Sequence, residues 1–76
     1  MTDQQVNHLS IPTFKVLPFI NGTHFDYDEH QEQYVCVMKL ADASSVIMVA
    51  EDVEIAHGNA IKVIKEMAYK NGWLNE

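Results

Sequence analysis

At Val53 the recurrence of apolar residues changes from every second position to the helical spacing, and this switch constrains the fold more than any other feature of the chain. Upstream, Tyr34, Cys36, Met38 and Leu40 alternate with Val35, Val37 and Lys39. A strand satisfies that alternation and a helix does not, so Gln33–Leu40 is expected to be a strand. Residues 41–44 read as a turn. Ser45–Ala50 reads as a further strand, apolar on both faces, as an inner strand or one backed by another layer would be. Downstream, Val53, Ala56, Ala60, Ile61, Ile64, Met67 and Ala68 share one helical stripe, with Lys62, Lys65, Glu66 and Tyr69 opposite. Asp52 suits the N-cap, and Gly72 suits the left-handed stop, with Trp73 folding back towards Ala68. Gly58 costs about 1 kcal/mol inside a helix, and Ile55 points off the stripe. Two helix starts, Val53 and Asn59, therefore remain open.

The first part of the chain reads as a hairpin. Residues 13–20 alternate, and Asn21-Gly22 supplies the dipeptide preferred in two-residue type I′ turns. That turn pairs Phe19 with His24 and Leu17 with Asp26. One face then holds Phe14, Val16, Pro18, Ile20, Phe25 and Tyr27; the other holds Lys15, Leu17, Phe19, His24, Asp26 and Asp28. Pro18 lacks an amide hydrogen, which places this strand at an edge or a bulge. Residues 1–11 are polar and aperiodic and read as a flexible tail, leaving residues 12–76 as a single domain. The expected fold class is α+β: a four-stranded antiparallel β-meander followed by one C-terminal α-helix packed on one face, ββββα. One helix covers one face of a sheet. Leu17, Phe19, Val35 and Val37, with Ile47 or Val49, would then need cover from a second copy or a partner.

A chain of 76 residues with a single cysteine has no disulfide to reinforce its core. Its stability should be about 4–11 kcal/mol. The lone cysteine, and a start that lacks the pattern of a secretory leader, fit a cytoplasmic protein. No apolar run approaches the length of a membrane span.

The net charge of −6 is unevenly distributed. Residues 26–54 hold eight of the eleven acids and one lysine, a formal −7, while the flanking segments nearly balance. The sequence contains no arginine. An acidic, arginine-free chain is a poor match for nucleic acid and a better match for a basic protein surface. Glu51, Asp52 and Glu54 fall where a helix dipole favours negative charge. Asp26, Asp28, Glu29 and Glu32 lie where no such demand is visible. These four, with Leu17 and Phe19 beside them, are the expected partner-binding residues.

No motif fixes a reaction, and no catalytic residues or cofactors are expected. His24, Asp26, Asp28 and His30 alternate along one strand and carry the donor types of a divalent-metal site. The four span too far for one ion, so a solvated strand face is the preferred reading. Cys36 lies among valines and reads as a buried, inert thiol. Gly22, Gly58 and Gly72 fall at turns or helix ends and make no phosphate-cradling loop.

In size, acidity and lack of arginine the chain resembles the small inhibitor proteins that phages and plasmids direct against host nucleases, anti-CRISPR proteins among them, and toxin-neutralising immunity proteins. The resemblance is compositional and carries no residues over. It implies a non-enzymatic module that blocks a basic surface on a nucleic-acid-handling partner. The alternative is a structural or accessory homodimer, and a lower one is a metal-binding protein using the polar run around His24.

Overall fold

The computed structural model describes residues 10–74. The chain runs through a short helix α1 (Thr13–Val16), a 3-10 turn (Leu17–Phe19), strands β1 (Ile20–Asp28), β2 (Gln33–Leu40) and β3 (Ser45–Ala50), and a long helix α2 (Val53–Asn71). The three strands form one antiparallel sheet in the order β1-β2-β3, and α2 crosses β3 and β2 on one side. The architecture is α+β as expected, with one strand fewer.

The missing strand is the first. Residues 13–20 alternate in sequence, yet the residues that turn inward are Val16, fully buried, and the half-buried Phe19 and Ile20. Their separations of three and four residues are helical. Phe14 and Leu17 face outward. Pro12 takes an extended conformation before α1 and accepts a hydrogen bond from the Lys15 amide at 3.0 Å. Pro18 sits in the first turn of the 3-10 segment, where its missing N–H and fixed φ cost nothing; in a ladder it would have removed a bond.

Asn21-Gly22 is not a turn. Neither residue takes positive φ, which a type I′ turn needs at both positions. Both lie inside β1, where Ile20 pairs with Leu40 and Gly22 with Lys39, leaving Asn21 as the extra residue of a bulge. The bulge reverses the pleat. Ile20 packs on the core, although simple alternation would place it with Gly22, His24 and Asp26 on the opposite face.

The tight turns lie further on and use other chemistry. Between β1 and β2, the Asp28 carboxylate accepts from the amides of His30 at 3.0 Å and Gln31 at 3.3 Å, and Glu32 takes φ 54°. Between β2 and β3, the Asp42 carboxylate accepts from the Ser44 amide and hydroxyl, and Ala43 takes φ 76°.

Helix α2 starts at Val53, the earlier of the two starts. Asp52 caps it by accepting from the Glu54 amide at 2.7 Å, and Gly72 ends it with φ 71°, donating its N–H to the Ala68 carbonyl. Ala56, Ala60, Ile61, Ile64 and Ala68 are buried against Cys36, Met38, Leu40 and Val46. Gly58 lies within the helix and Ile55 points to solvent. Trp73 donates its amide to the Ala68 carbonyl at 2.9 Å and lays its ring on Phe19, with centroids 5.2 Å apart. This contact ties the chain's last turn to the 3-10 segment. Of the expected tail, residues 1–9 lie outside the described residues, while Ile11 packs against the core.

Candidate functional site

Strand register decides where the acids go. Tyr34 of β2 lies opposite Tyr27 of β1 and Ala50 of β3. The turn between β1 and β2 and the start of α2 therefore lie at the same end of the sheet. Two groups of acids far apart in sequence meet there: Asp26, Asp28, Glu29 and Glu32 from the first turn, and Glu51, Asp52 and Glu54 from the second. No lysine accompanies these seven carboxylates; Lys39, the only lysine between Lys15 and Lys62, lies beside Gly22 and Ser45 at the opposite end. Asp42 lies at that opposite end as well.

Aromatic rings stand among the carboxylates. Phe25, Tyr27 and Tyr34 are on the helix side of the sheet, but α2 lies over β3 and β2 and leaves them 44%, 48% and 38% exposed. The two tyrosine rings pack at a centroid distance of 4.9 Å, and Phe25 lies 6.1 Å from the ring of His57. Two open depressions border the group. Asp26, Tyr27, Asp28, Glu29, His30 and Val35 line one, and Tyr34, Glu51, Asp52 and Val53 line the other.

The acids differ in what the fold asks of them. Asp28 holds the first turn and Asp52 caps α2, so each has a local structural task. Asp26, Glu29, Glu32 and Glu51 have no such task among the described residues and face water. In the sequence alone Asp28 shows no local role, because the Asx-turn that occupies it becomes visible only once the strand is known to end there.

Leu17 and Phe19 are not beside these acids. They lie before β1, and β1 carries the chain about 25 Å to its far end at about 3.3 Å per residue. Leu17 is exposed on the 3-10 turn, and Phe19 is half-buried against Trp73. The two groups were joined in the sequence reading only through the Asn21-Gly22 hairpin, and they separate with it. The aromatic neighbours of the acids are Phe25, Tyr27 and Tyr34. Their exposure could not be read from alternation, which places them on the core side without saying how far a single helix reaches.

The second face of the sheet is uncovered by any described element. It presents Val35 and Val37 of β2 and Ile47 and Val49 of β3, with His24 and Asp26 beside them on β1. Ile47 and Val49 are 61% and 47% exposed. These residues were among those expected to need cover.

Among the described residues no group of three or more His, Cys, Asp and Glu side chains is placed to hold a metal ion. His24 and Asp26 succeed one another along the open face, and Asp28 turns its carboxylate back to the His30 and Gln31 amides. Cys36 is fully buried, and that burial pushes its thiol pKa up, away from the reactive thiolate. Among the described residues no helix is long and apolar enough to cross a membrane. Compared with protein-family models, curated proteins and solved structures, the chain matches none.

Proposed function

We propose that the protein is a non-enzymatic binding module whose acidic pole docks on a basic protein surface, and that by doing so it inhibits a nucleic-acid-handling partner. The observation that carries this reading is the meeting of seven carboxylates, without a lysine, at the end of the sheet that carries two half-exposed tyrosines. Carboxylates of this density steer a basic partner and compete with phosphate for the same cations. Tyr27, Tyr34 and Phe25 supply the flat, rigid contact area that interface anchors share, and guanidinium groups stack well on such rings. Partner, inhibition and location in the cytoplasm belong to this proposal together.

The test is capture of partners by the immobilised full chain at low salt, repeated at high salt and with excess duplex DNA. Salt and DNA should each release the bound protein, because both mask the cationic surface. Asp26→Asn, Glu29→Gln, Glu32→Gln and Glu51→Gln combined should slow association at least tenfold, while Asp42→Asn at the other end leaves it unchanged. Capture that is indifferent to ionic strength would sink the proposal.

A second reading, an accessory homodimer, is favoured by one separate observation, the exposed Ile47 and Val49 beside the half-buried Val35 and Val37 on the open sheet face.

A further inference from the structure

We propose that a second copy of this chain covers the open sheet face, with the two sheets face to face and their strands antiparallel about a two-fold axis that runs across the strands. The proposal concerns the sheet face behind the tyrosines; it shares Asp26 and Asp28 with the acidic pole but does not rest on the basic partner proposed above.

The apolar part of the face is a block of four β-branched residues. Val35 lies beside Val49 in one row, and Val37 beside Ile47 in the next. The polar residues around the block identify the occupant. Asp26 flanks the first row and His24 the second; Asp28 and Gln33 lie beyond the first row, and Lys39 lies beyond the second. A two-fold axis passing between the rows reverses them in the second copy. Val35 then meets the partner's Val37, Ile47 meets the partner's Val49, and Asp26 meets the partner's His24. Lys39 falls over the partner's Gln33, next to its Asp28. Apolar groups meet apolar groups, and no charge meets its like. An axis along the strands would instead stack Lys39 on the partner's Lys39 and bring the two acidic poles together, which a chain of net charge −6 opposes. A basic partner of the kind the pole attracts finds no counter-charge in the four-residue block. The self-complementary arrangement therefore selects a second copy.

The size of the face sets the strength. Three strands about 4.8 Å apart, paired over about six residues, give a footprint of about 300 Å² per copy. Two such faces bury about 600 Å², well below the roughly 1,200 Å² of the smallest stable interfaces, so the dimer is a weak and transient one. The dimer should form and dissociate over an ordinary dilution series, and its two acidic poles would point to opposite ends.

Sedimentation of the full chain from micromolar to millimolar concentration tests this. The expected result is a mass that rises towards two chains. Ile47→Glu should weaken association about 100-fold, since each dimer loses two buried isoleucines. Ile55→Glu, on the exposed side of α2, should leave it unchanged. If Ile47→Glu does not fold, Ile47→Thr keeps the β-branch and should still weaken association. For the orientation, Val35→Cys and Val37→Cys proteins should cross-link faster when mixed than either does alone. A single-chain mass throughout, or a dimer lost with Ile55→Glu and kept with Ile47→Glu, would overturn the proposal. Cross-linking no faster in the mixture would overturn the antiparallel orientation.

Discussion

Gly58 and Gly72 lie 14 residues apart on the same helix and should respond to alanine in opposite directions. A Cβ added at Gly58 meets nothing within 4 Å, and the residue sits in ordinary helical conformation. Gly58→Ala should raise stability by about 1 kcal/mol, through lower backbone entropy in the unfolded chain. Gly72 also has space around it, but its φ of 71° is costly for any side chain. Gly72→Ala should lower stability by about 1 kcal/mol. Urea unfolding of the two variants checks both signs; a loss at Gly58 would argue against a continuous helix from Val53. Asp42 offers a second test at this scale. The Ser44 hydroxyl, and after it the Ser44 amide, hold its carboxyl below the ordinary aspartate range. A carboxyl depressed in the folded state contributes its stability above the unfolded pKa and loses it as pH falls through the folded one. Ser44→Ala should therefore raise the Asp42 pKa, read by NMR titration, and narrow that acidic window.

At the scale of elements, α1 separates what the sequence made legible from what it did not. Val16 is fully buried and Phe14 is outside. Val16→Ala should cost about 2 kcal/mol, and Phe14→Ser should change stability little; thermal unfolding decides between this pattern and a first strand, in which both would face the core. The strands β2 and β3 and the helix α2 were legible because each has a long, consistent period and α2 has an end signal at either side. Residues 13–20 were misread because four alternating apolar residues fit a strand and a helical turn almost equally, and Pro18 suits both an edge strand and a 3-10 turn. Asn21-Gly22 weighs on the side of a strand and hairpin. Its turn preference is real but local, and the pairing of Ile20 with Leu40 and the burial of Val16 override it. The error moved Leu17 and Phe19 next to the acids. Asp26, Asp28, Glu29 and Glu32 are visible in the sequence as a cluster of acids, but nothing there joins them to Glu51 and Glu54, because only strand register brings the two groups to one end of the sheet.

For the whole molecule, the acidic pole implies an opposition between stability and binding. Seven carboxylates gathered at one end repel each other in the folded chain more than in an extended one. Asp28 and Asp52 offset that repulsion through the amides they cap; Glu29 and Glu51 have no such hydrogen bond among those described. Salt screens the repulsion, with a Debye length falling from about 10 Å at 0.1 M to about 3 Å at 1 M. The isolated protein should therefore unfold at a higher temperature as salt rises, over the same range in which partner capture weakens. Glu29→Gln with Glu51→Gln should raise the low-salt midpoint and flatten its salt dependence, because part of the repulsion has been removed. Asp52→Ala should instead lower the midpoint, by the equivalent of about 1 kcal/mol, through the lost helix cap. Thermal unfolding of these variants at low and high salt separates a carboxylate that the fold uses from one that it merely carries. A Glu29→Gln, Glu51→Gln protein less stable than the parent at low salt would show that these side chains hold the fold together, and would remove them from the binding surface.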